Sequence, residues 1–403
     1  MHVKAITALV LSCMVAGTPT LLMAQEGDRE ALIERENEQR EAMLSGMQAV
    51  VDGLNTGSFA VLAGTIDQDD MLERIFGLRL IDQRVKKQFR EQFEMSLESS
   101  IAGTVPRGPE EPLRARLLGF DSRGNLGRAV VRFDLANFQF AYHEYELTLD
   151  KNDRLVIVDW TDFFWGEKFS DAVGNKLVIA SPSNPAVRKL VDFQGITEAE
   201  VFELTEALKA IRDRQVPRYF EIVEGMDERL RGQRIVLLGG VQMTKQMRAR
   251  RQLRTALTAL AEYYPDDPLY TNLLLDYFFP TRRYEDARTS LKNLGQRLNV
   301  DDAALEARLS STELVLGDSE AAARHAERAV ELEGSMELGW WAALRARAAQ
   351  GDNAGAVAAV TTLEKRFGHE LTPEALAKDK SLAAFVASDE YRQWALGQND
   401  SGE

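Results

Sequence analysis

The chain has 403 residues, 49 basic against 63 acidic, a net charge of −14 and a single cysteine, Cys13. Its acidic balance disfavours nucleic acid and anionic membrane surfaces as general partners, and one cysteine near the N-terminus leaves no internal disulfide, thiol catalysis or Cys-based metal site in the rest of the chain. The length suits two or three domains, and 45% apolar residues are ample to fill their cores.

Met1-His2-Val3-Lys4 is a short basic start, 5–23 is mostly apolar, and Leu22-Met23-Ala24 ahead of Gln25-Glu26-Gly27-Asp28 has the form of a signal-peptidase site. Residues 1–24 are therefore expected to be a signal peptide, and the protein exported, to the periplasm if the source is bacterial. Cleavage removes Lys4 and Cys13 and leaves a charge of −15, with no stable transmembrane segment in the mature chain. Two alternatives are a membrane anchor through the N-terminal segment, which Gly17, Thr18, Pro19 and Thr20 interrupt, and a lipidated Cys13 in the partial lipobox Val10-Leu11-Ser12-Cys13.

An α+β domain is expected over 28–180. Residues 28–54 carry Leu32, Ile33, Met43, Met47, Val50, Val51 and Leu54 among charges and read as a helix that Asn55-Thr56-Gly57-Ser58 stops; 81–101 is a second amphipathic run, broken by the proline-rich stretch 106–112. Four strands follow, 113–121, 128–138, 141–149 and 155–164, with turns at Asp121-Ser122-Arg123-Gly124-Asn125 and Asp150-Lys151-Asn152-Asp153. The pattern predicts an antiparallel meander behind a helical cover. This order loosely resembles the nuclear transport factor 2-like and other cystatin-like folds, and the resemblance implies helices closed over a bent sheet, often a small-molecule or lipid pocket and sometimes an enzyme.

Alternation sends Tyr142, Glu144 and Glu146 to one face of the third strand and His143, Tyr145 and Leu147 to the other. His143 beside Asp162 has the makings of an oriented base, and Glu144 with Asp159 of a carboxylate pair. The stronger reading is structural: a hydrogen-bonded histidine and solvated acids, with His143→Ala leaving the fold nearly intact. Phe163-Phe164-Trp165 ends the last strand and is a candidate wall for a ligand or for docking the sheet on the helices, with core filling as the plain alternative. The sequence holds no zinc-protease helix, phosphate loop or nucleophile elbow, and Asp150-Lys151-Asn152-Asp153 lacks the glycine and distant glutamate of a calcium loop. No catalytic residue, metal site or cofactor is assigned.

Ala180-Ser181-Pro182-Ser183-Asn184-Pro185 marks a boundary, and 185–397 reads as all-α. Thr197, with Glu200 three residues on, is a helix cap. Helices are expected over 197–211, 218–230 and 234–264, the last carrying the one strong basic cluster, Lys245, Arg248, Arg250, Arg251 and Arg254. That cluster is a candidate contact for an acidic partner, a lipid headgroup or the protein's own acidic surface, against the default of a solvated helix face. Gly317-Asp318-Ser319-Glu320-Ala321-Ala322 returns 34 residues later as Gly351-Asp352-Asn353-Ala354-Gly355-Ala356, with Ala326, Ala329 and Leu332 at the small and large places of the first copy. Arg283-Tyr284-Glu285-Asp286-Ala287 is a further copy in which Arg282 stands where a glycine is expected, and above it Leu253, Leu257, Leu260 and Tyr264-Pro265 suggest a degenerate unit. The spacing resembles that of tetratricopeptide repeats, and the resemblance implies stacked helical hairpins that hold a protein or peptide. Leu382, Phe385 and Val386 ahead of Tyr391, Trp394 and Leu396 fit a closing cap helix.

The expectation is therefore an exported, non-enzymatic interaction or scaffold protein that binds a protein or peptide through its helices. The alternative is a ligand-binding, possibly enzymatic, N-terminal domain to which the helices recruit a partner.

Overall fold

The computed structural model describes residues 19–77, 79–102, 114–191 and 194–400. Most of the expected leader with Cys13, the break at 106–112 and the last three residues lie outside them. Helix α1 (Pro19–Asn55) turns Met43, Met47, Val50, Val51 and Leu54 into the core and stops at Gly57, whose φ of 78° no side-chain-bearing residue adopts cheaply. Two short helices absent from the sequence reading follow: α2 (Ala60–Gly64), and α3 (Gln68–Phe76), capped by the Asp67 carboxylate. They are too brief to show a helical period. Helix α4 (Gln83–Ala102) is the second amphipathic run.

Strands β1 (Arg114–Arg123), β2 (Leu126–Asp134), β3 (Phe140–Leu149), β4 (Leu155–Asp162) and the two-residue β5 (Glu167–Lys168) form one antiparallel sheet in sequence order. Local chemistry makes the turns. Gly124 has φ 57°, and Asp150 accepts from the amides of Asn152 and Arg154, bonds led by the Arg154 amide that hold its carboxyl down at about 2. Between Asp159, opposite Glu146, and Ile157, opposite Leu147, the register skips Val158. This bulge flips the alternation, so that Ile157 and Trp160 both enter the core under α1 with Val131, Phe133, Tyr145 and Leu147.

After α5 (Phe169–Ala180) and α6 (Asn184–Arg188) the chain is a run of helices. Helix α7 (Glu198–Arg212) starts on Thr197, whose hydroxyl accepts from the Glu200 amide while the Glu200 carboxylate accepts from the Thr197 amide, the capping box expected from sequence. Then come α8 (Val216–Gly225), α9 (Glu228–Arg231), α10 (Arg234–Gln246), α11 (Arg250–Tyr263), α12 (Thr271–Phe278), α13 (Tyr284–Leu298), α14 (Ala303–Leu316), α15 (Ser319–Leu332), α16 (Glu337–Gln350) and α17 (Asn353–Phe367). The single helix expected over 234–264 is thus two. The amide of Ala249 reaches back to the Thr244 carbonyl at 2.9 Å, and Arg248, at φ 53°, closes α10 instead of continuing it.

That turn is one of a series. Left-handed residues sit between paired helices at Arg214, Arg248, Arg282, Gly317 and Gly351, at intervals of 34, 34, 35 and 34 residues. Five helical hairpins therefore share one period, with α7 and α8 as the first and α16 and α17 as the fifth. In the last two, the residue after the glycine caps the next helix: Asp318 accepts from the Ala321 amide and Asp352 from the Gly355 amide. The fifth residue after each of the last three turns, Ala287, Ala322 or Ala356, is fully buried, as close helix crossings require. Arginine in the left-handed region carries a steric cost of about 1 kcal/mol that glycine avoids. Because the Arg282 side chain is exposed, Arg282→Gly is expected to raise stability by up to about 1 kcal/mol, read as a higher midpoint of thermal unfolding; a lower midpoint would show that the guanidinium outweighs the backbone strain.

Helices α18 (Pro373–Leu376), α19 (Ala383–Val386) and α20 (Asp389–Asp400) close the array, with Leu382, Phe385 and Tyr391 buried and the Trp394 indole donating to Thr361 Oγ1 at 3.0 Å.

Candidate functional site: the sheet–array junction and its cleft

The sheet is covered on both faces. Residues that alternate away from α1, namely Val130, Tyr142 and Phe140, join Phe163 in a core shared with Leu291, Leu294, Leu298 and Ala304 of the helical array. Two glycines permit the approach: a Cβ on Gly119 would lie 2.6 Å from Val300, and one on Gly166, at φ 78°, 2.6 Å from the Tyr270 ring.

At the centre of this junction stands Arg132, fully buried in β2. Its guanidinium reaches three carboxylates, Asp134 on its own strand at 2.6 Å, Asp302 at the cap of α14, and Glu333 beyond α15 at 2.8 Å. Tyr142 donates its hydroxyl to the other Asp302 oxygen at 2.5 Å. Burial opposes the Arg132 charge, yet the three acids outweigh it and its pKa is raised; burial and Asp302 together push the Tyr142 phenol well up. Glu144 repeats the device nearby. It takes both nitrogens of Arg297, at 2.6 and 2.8 Å, and Arg128 at 2.7 Å, while Arg128 also donates to the Leu298 carbonyl at the end of α13. Burial pulls the Glu144 carboxyl upward, but the two arginines win and it lies below its ordinary value.

The carboxylate pair imagined from the sequence does not form. Glu144 stands opposite Thr161, whereas Asp159 stands opposite Glu146 and accepts from Ser170 Oγ at 2.6 Å and from the Trp160 and Ser170 amides. These bonds tie β4 to α5, although burial still raises the Asp159 pKa. Nor are these acids solvated: Glu144 and Asp159 are 8% and 2% exposed. His143 lies on the opposite face, in edge contact with Phe133 and stacked toward Trp160, with Nδ1 3.1 Å from the Tyr145 hydroxyl and Nε2 3.6 Å from Asp162. The Asp162 carboxylate is already engaged by the Phe164 and Trp165 amides, which it folds into the turn before β5. Complete burial overturns the expectation for His143→Ala. Deleting the ring from a packed aromatic core is expected to cost about 2–4 kcal/mol, measured by chemical denaturation, and an unchanged midpoint would mean that the core closes over the gap.

Phe164 and Trp165 lie beneath Lys245 of α10, whose ammonium is 4.8 and 5.7 Å from their ring centres and 3.2 Å from Asp276. Lys245 therefore belongs to the junction. Arg248, Arg250, Arg251 and Arg254 are exposed at the turn and on α11, and no ion pair engages any of the four among the described residues.

Beside the junction a cleft of about 720 Å³ opens between α5, the β4–β5 turn and the first helix of the second hairpin, α10. Seven of its lining side chains are cationic and three acidic, against the acidic balance of the whole chain. Arg79 holds Asp171 at 2.5 Å and Arg234 holds Asp267 at 3.3 Å. Glu167 has its pKa raised, mainly by burial, although Gln242 donates to it at 2.8 Å. A recess of about 130 Å³, bounded by Trp160 and Asp162, shares Glu167, Ala172, Lys176 and Gln242 with the cleft. Among the described residues no group of His, Cys, Asp and Glu could hold a metal ion, and no helix is long and apolar enough to cross a membrane.

The sequence reading missed Arg132, Asp302, Arg297 and Glu333. A signal for the first was present: an arginine within Ala129-Val130-Val131-Arg132-Phe133, in a strand otherwise apolar, needs buried acids. No protein-family model matches this sequence, and no curated protein emerges as a relative of it.

Proposed function

We propose that this is an exported interaction protein that holds a protein or peptide partner on a tetratricopeptide-like array of helical hairpins. The observation that carries the reading is the recurrence of left-handed turns every 34 or 35 residues through five hairpins, which extends the register of the sequence repeat to Arg214. Hairpins of this kind bury their apolar faces on their neighbours and leave an extended surface for another chain. The sheet region, similar in its order of helices and strands to nuclear transport factor 2-like folds, already covers part of that surface, since Gln242, Asn272 and Arg308 on α10, α12 and α14 bond to it. The partner surface is then the solvent-facing remainder, and its most distinctive part is the arginine group 248, 250, 251 and 254, which suits an acidic segment.

The test is an affinity pull-down from native envelope extract with the wild type and with the variant Arg248→Glu, Arg250→Glu, Arg251→Glu, Arg254→Glu, leaving Lys245 in place to preserve the junction. A protein retained by the wild type and lost from the variant is expected. Identical retention by both, or retention of nothing, counts against the reading. N-terminal sequencing of the exported chain tests the leader, with Gln25 as the expected first residue.

A further inference from the structure

Independently of any protein partner, two buried groups that bound the cleft and its recess can donate a hydrogen bond and have no acceptor. Trp160 Nε1 and the Tyr270 hydroxyl are buried without a hydrogen-bond partner, one bounding the recess and the other the cleft. An indole N–H can only donate, and a phenol held this far above its ordinary pKa, chiefly by burial, keeps its proton. Buried polar groups ordinarily find partners, so one orphan on the recess and one on the adjoining cleft point to a ligand that supplies acceptors. Lys176, on α5, and Lys189 complete the set: both line the cleft, and neither forms an ion pair among the described residues, although Glu167 feels the Lys176 charge. The other cations are differently placed. Arg74, Lys168 and Arg297 are matched by Asp70, Glu146 and Glu144 behind the lining, and Arg79 and Arg234 by Asp171 and Asp267 within it. The acid left over, Glu167, sits where burial favours its neutral form.

Part of the remaining wall is apolar, formed by Phe163, Ile179, Leu190, Ile235 and Leu238, with Thr161, Asn175 and Gln242 between the charges. A cleft of this volume, in which charged and polar groups converge beside an apolar wall, has the dimensions of a small-molecule site. We infer that the cleft between α5 and α10 binds a small organic anion, an acceptor-only carboxylate or phosphate head carried on an apolar body. Lys176 and Lys189 attract and neutralise the head, which enters the recess that Lys176 shares with the cleft and accepts from Trp160 Nε1–H, while the Tyr270 O–H donates to the part of the ligand left in the cleft and the apolar wall takes the body. Because both the sheet region and the array build the wall, such a ligand is held only while the two are docked, which links occupancy of the cleft to the Arg132 and Glu144 junction.

The experiment uses the full-length chain with ¹⁵N-labelled tryptophan, the Trp160 indole signal being assigned with Trp160→Phe. Phenyl phosphate and benzoate are titrated as the two head groups, with benzyl alcohol as the neutral analogue. A saturable shift of the Trp160 indole signal is expected with at least one anion, the tighter of the two naming the head, and at least tenfold weaker binding of the alcohol. In Lys176→Ala, Lys189→Ala, two exposed positions whose truncation leaves the core untouched, the anion should bind about tenfold or more weakly, with the free Trp160 signal and the thermal midpoint unchanged. Three results would overturn the inference: an indole signal unmoved by millimolar anion, an alcohol that binds as tightly as the anions, or a double variant with wild-type affinity.

Discussion

Asp302→Ala is expected to be the most damaging single substitution in the polar part of the molecule, lowering stability by about 3–5 kcal/mol. Removing this carboxylate leaves the Arg132 guanidinium, fully buried, with Asp134 and Glu333 alone, and deprives the Tyr142 hydroxyl of its acceptor. It also removes the cap of α14, where Asp302 accepts from the Leu305 amide at 3.2 Å, a loss of about 1 kcal/mol by itself. Charge and cap can be separated. Asp302→Asn keeps a capping oxygen and the size of the side chain, so whatever it costs belongs to the ionic contact. A double-mutant cycle of Arg132→Met with Asp302→Leu should return a coupling of several kcal/mol, because an apolar pair of similar volume tolerates burial far better than a lone charge does. Urea unfolding of the four proteins, followed by tryptophan fluorescence and circular dichroism, checks both statements; a wild-type midpoint for Asp302→Ala would mean that the junction adds nothing to stability.

Ala322→Trp, or Ala356→Trp, is expected to disrupt the helical array at a cost of about 3 kcal/mol or more. Both alanines are fully buried and occupy the same place after their glycine turns, in α15 and α17, where neighbouring helices cross. An indole there has nowhere to go without forcing helices apart, and hairpins that are stable only against their neighbours transmit the damage along the stack. Ala354→Trp is the control, since residue 354 lies in the same helix and is exposed; it should leave unfolding unchanged. If Ala322→Trp and Ala354→Trp unfold alike, the crossing does not need a small residue.

Much of the architecture is readable residue by residue. The capping box at Thr197, the Gly-Asp turns at 317 and 351 and the hairpin turn at Asp150 are local hydrogen-bond devices whose residue types and spacings are visible in the chain. Strand alternation likewise separates Tyr142 and Glu144 from His143 without any coordinates. The upstream hairpins are fainter in the sequence for a physical reason. Arg214, Arg248 and Arg282 adopt the backbone shape that glycine marks elsewhere, so the period of about 34 residues persists in φ while it disappears from the residue identities. At 234–264 the same disguise turned two helices into one, and placed Lys245 with four arginines from which its contacts with Phe164, Trp165 and Asp276 divide it.

The junction and the cleft belong wholly to the tertiary structure. Arg132 and Asp302 are 170 residues apart, and Glu144 and Arg297 153. Nothing in either local sequence selects its partner, because ionic pairing depends on distance in space and on the water excluded around it. Composition, caps, turns and periodicity therefore determined by themselves that this protein is an antiparallel sheet under helices followed by an array of helical hairpins. Only the packed chain decided that the sheet's second face is buried on that array, since hydrophobic alternation shows which side chains avoid water but not what covers them.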